Sequence, residues 1–441
     1  MEIKNLKTDD QRVKRVKRVK LIIYLFVNNL LMAIVWKVNI QIPAAAGWLF
    51  KSEELLKLNL PSDNYYPPGS ALLLIPFTKL ENSALYATFF YMNIGLIFFY
   101  LICNEIKSQF LNIIALSTLS INVYLFWLMK GSQDTVYEFA FVMISTFLLI
   151  KNYWKLSFMS LFMLSQIRSG YVILFCIVSV LLFFKNKSYN FSRKLILIPL
   201  ILFIMSASVN LFNYGTTAPS NTSGQTLYFG QNKYFYLASP LYDVDVFLAQ
   251  DGHMDVPGYK NEDLWSLDFN KIDELFLVQA IKQLKENPAS LIQNTISKVD
   301  NLFFNFQKIP NLPGKYWLSR DGSTINIDQS QSLALKHAIG NLLYFLYRVI
   351  SVLLMVYTLS LLIFFRKKID TKNMEYIIWS LLPIVSWIPL SLIYYNDTRF
   401  RIVPECLIIP AAVYFLNFVN KHDLIQESHV ITPKDIPKGP K

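Results

Sequence analysis

Long apolar runs separated by short polar turns dominate this chain from end to end. A bilayer core takes roughly 20 apolar residues per helix. Runs near that length predict membrane-spanning helices at 20–37, 84–103, 110–129, 135–150, 156–167, 171–185, 194–212, 338–365, 376–394 and 401–419. The run at 156–167 is short and the one at 338–365 is long. Ser70 to Phe77, "SALLLIPF", is too short to cross and predicts a re-entrant or interfacial piece. The expected architecture is an all-α polytopic membrane protein of about ten spans.

Two stretches outside these runs are long. The first, 38–83, holds "GWLFKSEELLKLNL", with Trp48, Leu49, Leu55 and Leu56 at helical spacing. It predicts an interfacial helix. The second, 213–336, opens rich in Gly, Ser and Thr and ends in two helix signals. Asp268 is placed to cap "FNKIDELFLVQAIKQLKEN". Asn287–Pro288 stops that helix and starts the next, "PASLIQNTISKVDNLFFNF", with proline at the first helical position. The expected organisation is a basic N-terminal flank (1–19), an N-terminal transmembrane module (20–212) with its first outside loop (38–83), a mixed extracytoplasmic loop domain (213–336), a C-terminal transmembrane module (337–420) and a polar tail (421–441). No inverted internal repeat of the kind that marks many transporters is visible.

Charge orients this layout. Only 16% of the 441 residues are charged, against about a quarter in soluble domains, which argues against a soluble globule. A net charge of +12 would suit nucleic acid, but its placement does not. Arg12, Lys14, Arg15, Lys17, Arg18 and Lys20 crowd against the first run, as on a cytoplasmic flank. They can also meet anionic membrane lipids. Trp36 and Lys37 follow that run where a cleaved signal peptide would carry small residues. With the N-terminus inside, most basic loop residues fall on the cytoplasmic side. The short outside turns then hold Lys130, Arg168 and the pair Arg399 and Arg401. Cys103, Cys176 and Cys406 lie in apolar runs, and the four histidines are scattered, so neither a disulfide framework nor a metal spacing is present.

Several polar groups stand at the outer ends of spans. "SDNYYPPGSALLLIP" carries Asp63, Tyr65 and Tyr66 at a proline–glycine turn. The tyrosines suit the membrane interface, and the plain alternative is a membrane-entry turn. "KGSQDTVYE" puts Asp134 and Glu138 at the start of a span, where Asp134 could simply cap the helix. "SQIRSGY" puts Arg168 between two short spans. A charge so near the apolar core needs a partner or a ligand, and Asp134 or Glu138 would serve as an ordinary ion-pair partner. In the late loop, "SGQTLYFGQNKYFYLASPLYDVDVF" offers Gln231 and Asn232 as donors. Asp243 and Asp245 have the spacing of a metal-holding DxD, a weak signal without a nucleotide-binding α/β pattern around it.

Taken in order, these pieces resemble the GT-C integral-membrane glycosyltransferases. The nearest branch is the protein-mannosyltransferase-like and aminoarabinose-transferase-like one, glycosyltransferase family 39-like. The resemblance rests on the basic N-terminus, the first outside loop ending in YPPG, the paired short spans with an arginine, the late "GQN" and "NPASLIQNTISKVDNLF" segments, and the terminal "RFRIVP". It implies a GT-C fold in a bacterial inner membrane, with both termini cytoplasmic and the active site extracytoplasmic. It implies a polyprenyl-phosphate-sugar donor and transfer to a hydroxyl of a lipid, glycan or protein acceptor, with inversion. Such chemistry needs a carboxylate base and cations on the departing phosphate. Arg399 and Arg401 match the family's arginine motif, with Arg168 placed to assist. Gln231 and Asn232 match its polar turn, and Tyr65 and Tyr66 flank the donor groove. No metal ligand and no fixed cofactor is implied, and a divalent cation stays open. The chain departs from the family after the first span. "VNIQIPAAAGWLF" has no acid where the family carries Asp-x-x-x-Tyr-x-x-x-Ala. The candidate bases are therefore Asp63 first, then Glu53, Glu54 and Asp134. A glycolipid flippase and a non-catalytic lipid-phosphate-binding scaffold are the alternatives.

Overall fold

The computed structural model describes residues 2–38, 46–60, 67–131, 133–185, 194–217, 220, 222–231, 269–303, 331–365, 371–393 and 398–427. Among them every regular element is helical. In chain order these are α1 (Glu2–Val38), α2 (Ala46–Leu56), α3 (Gly69–Leu74) with a 3-10 turn at Ile75–Phe77, α4 (Ser83–Cys103), α5 (Gln109–Ser120), α6 (Val123–Gly131), α7 (Gln133–Ile150), α8 (Trp154–Ile167) and α9 (Tyr171–Lys185). There follow α10 (Lys194–Tyr214), α11 (Ser223–Gln231), α12 (Phe269–Glu286), α13 (Pro288–Phe303), α14 (Gln331–Phe365), α15 (Thr371–Ile393), α16 (Thr398–Glu405) and α17 (Ile408–Glu427).

Hydrogen bonds between helix ends sort the bundle into two ends. At one end Trp36 Nε1 donates to Phe126 O at 2.7 Å and Lys130 Nζ donates to Trp36 O at 2.9 Å. Ser220 donates to Ser169 at 3.2 Å, and Asn270 donates to Tyr214 O at 3.0 Å. At the other end Tyr100 donates to Lys17 O, Tyr376 donates to Ile102 O, and Lys151 pairs with Glu105. The first set joins ends that the sequence places outside, and the second joins ends that it places inside.

The core lies where α4, α7 and α8 meet, and α1, α5, α6, α9 and α14 to α17 pack around it. Polar side chains stitch the helices inside this apolar body. Asn29 and Asn93 exchange hydrogen bonds between α1 and α4, at 2.8 Å one way and 3.2 Å the other. Ser145 meets Ser160 at 2.7 Å between α7 and α8. Such side-chain bonds hold helices together where lipid removes the hydrophobic drive for association. Large apolar residues point outward along α1, α10 and α14: Phe26, Met205 and Leu353 are all more than half exposed. That belt suits lipid contact.

Among the described residues three helices are long and apolar enough to cross a membrane: Arg15–Lys37, Ser83–Cys103 and Leu342–Ser360. A fourth span is formed if Gln109–Ser120 and Val123–Lys130 count as one, bent by 42°. The expected run at 110–129 is thus broken. Asn122 breaks it: its side chain accepts from the Leu125 amide at 3.2 Å and starts a new helix. The short run at 156–167 is a helix of 14 residues, and α15 carries Pro383 and Pro389 inside it. "SALLLIPF" folds as α3 plus its 3-10 turn and packs on α4, α7 and α8.

One glycine sets the closest helix pair. A Cβ on Gly95 of α4 would stand 2.4 Å from the Phe139 ring and 3.3 Å from the Ala140 backbone on α7. Gly95→Leu should therefore lower stability by about 1–3 kcal/mol through overpacking. A thermal-unfolding midpoint unchanged from wild type would contradict this packing.

Candidate functional site

Asp134 and Glu138 lie four residues apart on α7, so they share one face of the helix. α8 ends at Ile167, where Arg168 turns to extended backbone. The sharp passage to α9 runs beneath Trp387, and a Cβ on Gly170 would meet that indole ring at 2.5 Å. Only glycine lets the chain turn so close to α15. This turn aims Arg168 back at α7. Its Nε stands 2.5 Å from a Glu138 oxygen and its Nη2 stands 3.0 Å from an Asp134 oxygen. The Arg168 Nη2 also donates to Thr135 Oγ1 at 3.3 Å.

Tyr171 completes the arrangement. Its hydroxyl donates to Glu138 Oε1 at 2.6 Å, and its ring stands edge-on to Trp387 with centroids 5.2 Å apart. Arg168 and Glu138 are buried, with side chains 7% and 0% exposed, while Asp134 keeps 25%. One guanidinium faces two carboxylates. Charges out of water stand only when paired and hydrogen-bonded, and this cluster provides both.

A second cluster closes the end of α15. Gln231, the last residue of α11, donates to Ile393 O at 2.5 Å. Lys298 of α13 donates to Leu392 O and Ile393 O, each at 3.2 Å. The last carbonyls of a helix have no partner inside it and carry its negative dipole end, so a lysine suits them. Lys298 is 0% exposed, and desolvation by burial lowers its pKa from 10.5 to about 7. α11 itself is pinned to α12. Asp273 Oδ1 accepts from the Gln225 amide at 2.9 Å, and a Cβ on Gly224 would meet the Asp273 carbonyl at 2.0 Å. Burial raises the Asp273 pKa, against the lowering pull of the Gln225 and Gly224 amides.

α16 lies where the two clusters approach each other. It packs on α6, α7, α13 and α15 and carries the backbone of Arg399 and Arg401 in its first turn. Its far end is anchored by Glu405, which forms a buried ion pair with Arg348 of α14. The structure thus joins Asp134, Glu138 and Arg168 in one cluster and Gln231 and Lys298 in another, on helices that pack against that of the R-x-R segment or against its neighbours. Glu53 and Glu54 stand elsewhere, on α2. Glu53 is exposed, and Glu54 pairs with Lys57 at 3.0 Å and accepts from Asn59 at 3.2 Å. The Lys57 hydrogen bond, then that of Asn59, holds the Glu54 carboxyl below its usual value. Asp63, Tyr65, Tyr66 and Asn232 lie outside the described residues, as do Asp243, Asp245 and Asp268. Among the described residues no group of three or more His, Cys, Asp or Glu is set to hold a metal ion.

Sequence reasoning named Glu138 only as an ion-pair partner and passed over Tyr171, Lys298, Arg348 and Trp387. A signal existed for one of them: Arg348 is a lone cation in an otherwise apolar run.

No family model and no curated protein matches the chain. Among solved structures it is similar to an archaeal oligosaccharyltransferase, AglB from Archaeoglobus fulgidus, in complex with an inhibitory peptide and a dolichol-phosphate. The identity is 12% and the TM-score 0.40, over 95% of this chain and 52% of that one. This chain therefore spans about half the length of that protein, and a likeness so slight carries no argument about site or activity.

Arg168→Gln leaves Glu138 buried without its counter-charge and should cost about 3–5 kcal/mol. The double variant Arg168→Gln/Glu138→Gln should recover most of that loss in thermal unfolding. Equal losses in single and double variants would contradict the coupling. Lys298 gives a pH signature. The unfolded chain keeps the lysine proton up to about pH 10.5, the folded chain only to about pH 7. More protons are bound when unfolded, so stability should rise as pH climbs from 7 toward 10.5. Lys298→Met should flatten that slope in unfolding midpoints measured at pH 6 to 9, and an unaltered slope would contradict the burial of its charge.

Proposed function

We propose that the protein is a membrane glycosyltransferase that moves a sugar from a polyprenyl-phosphate carrier to an acceptor hydroxyl. The observation that supports this most is the convergence at one end of the bundle. A buried carboxylate–arginine cluster, a buried lysine and the helix of an R-x-R segment lie on mutually packed elements. Carboxylate and cation side by side are what transfer from a lipid phosphate requires. The base takes the hydroxyl proton as the new glycosidic bond forms. The sugar–phosphate bond breaks with inversion, and the cations hold the departing phosphate.

Within the described residues Asp134 is the candidate base. It keeps part of its surface open, whereas Glu138 is closed in between Arg168 and Tyr171. Glu138 and Tyr171 then position Arg168. Arg399 and Arg401 take the donor phosphate, because guanidinium stays charged and offers paired donors. Gln231 and Lys298 hold the end of α15, from which α16 follows. Asp63 remains a second candidate base. Gly69, six residues further along the chain, packs directly on the Gln166 and Ile167 backbone beside Arg168. On this reading the shorter apolar helices also span, giving about ten passes. Both termini are then cytoplasmic, in a bacterial inner membrane, with the site extracytoplasmic. The acceptor is a lipid, glycan or protein hydroxyl, and a divalent cation is an optional companion of the donor phosphate.

The second reading is a non-catalytic scaffold that binds a lipid phosphate. The observation that favours it is the pairing of Arg168 with two carboxylates, which an ordinary structural cluster would also show. Turnover separates the two. Purified protein in nanodiscs should release undecaprenyl phosphate from one of a panel of undecaprenyl-phosphate-linked sugars when a hydroxyl acceptor is supplied. Asp134→Asn should cut kcat about 10²–10⁴-fold. Arg399→Gln/Arg401→Gln should raise KM for the donor as well. EDTA reads the cation dependence. No release from any donor, or wild-type turnover in both Asp134→Asn and Asp63→Asn, would sink the proposal.

A further inference from the structure

α13 is inside out for a helix on a water-facing domain. Ser290, Asn294 and Lys298 recur at intervals of four and form one stripe, which is buried: 7%, 1% and 0% exposed. That stripe faces α11, α12, α15 and α16, the elements α13 packs against. The side pointing away from the protein is mostly apolar, with Gln293 the one exposed polar side chain between Ile292 and Ile296. Leu291 is 41% exposed, and Ile292 and Ile296 are each 65% exposed. In water this arrangement is unfavourable twice over, since it hides polar groups and shows apolar ones. In lipid it is favourable, because the protein side supplies hydrogen-bond partners and acyl chains cover the rest.

The neighbouring helices also show apolar side chains outward. Lys298 ties α13 to the last carbonyls of α15, and the outward side of α15 is apolar along its length, with Ile378, Val385 and Ile393 all 40–50% exposed. On the other flank Asn270 ties the start of α12 to the end of α10, where Phe212 is 87% exposed. The helices leading to and from this unit thus carry an outward apolar belt up to its edge.

We propose that α13 lies in the membrane rather than above it, with Leu291, Ile292 and Ile296 among the acyl chains of the adjoining leaflet. The occupant of the exposed face is lipid. Its consequence is that Ser290, Asn294 and Lys298 reach the protein from the lipid side. A lipid-linked molecule gliding in that leaflet would meet α13 without leaving the bilayer. The placement stands whether or not any sugar donor is turned over.

Spin-label accessibility tests it. The full chain with Cys176→Ala is used as background, because Cys176 is the exposed one of the three cysteines. Ile292→Cys and Ile296→Cys are labelled separately. Both sites are on the surface, so neither change empties the core. Lys282→Cys, on α12 and 53% exposed, serves as the aqueous reference. The proteins are reconstituted in phosphatidylethanolamine–phosphatidylglycerol vesicles. Collisions with dissolved oxygen should exceed those with a water-soluble nickel chelate several-fold at positions 292 and 296, and the order should reverse at 282. Dominant nickel collisions at 292 and 296 would show a water-facing stripe and overturn the proposal. Low collision rates with both reagents would show a protein cover over the stripe and overturn it equally.

Discussion

A buried guanidinium organises the candidate site. Arg168 leaves the end of one short helix and lands between two carboxylates on another, with almost no water around it. Coulomb attraction is strong in such a place, and so is the cost of removing these charges from water. The two balance only if every member of the cluster is held in position. The glycine turn under Trp387, the Tyr171 hydroxyl on Glu138 and the close packing of α4 on α7 all serve that one requirement. Loosening any of them would expose an uncompensated charge, so the helices around the site are locked by electrostatics as much as by apolar contact.

The same logic repeats at two neighbouring points with different chemistry. Lys298 answers the negative end of α15, and Arg348 answers Glu405 at the end of α16. Each brings a cation from a remote stretch of chain to a place where a helix ends. Arg348 thereby anchors the far end of α16, which packs beside α7, while Lys298 holds the end of α15 that precedes it. Both carboxylates of the Arg168 cluster come from α7.

Part of this was legible in the sequence. Arg168 near an apolar core needed a partner, and Asp134 and Glu138 were the carboxylates within reach of a helix start. Pro288 marked the start of α13 because proline is favoured at the first helical position. The apolar runs located most of the long helices. Span counting was less secure, because Asn122 interrupts one run and several helices are too short to cross by length alone. Long-range pairs were not legible at all. Lys298 and the α15 carbonyls are 94 and 95 residues apart, and nothing local announces their contact. Nor could the sequence say which side of α13 faces the protein. An amphipathic pattern reads the same whether its apolar stripe is buried or bathed in lipid.

The central claim is that carboxylate, arginine and lysine converge on one lipid-phosphate site. An electron cryomicroscopy structure of the protein in nanodiscs with undecaprenyl phosphate tests it most directly. The account predicts phosphate density at the N-terminal end of α16, with the Arg399 and Arg401 guanidinium groups on its oxygens and the Asp134 carboxylate facing the same cavity. Phosphate bound elsewhere, or a cavity at α16 that no carboxylate reaches, would contradict it.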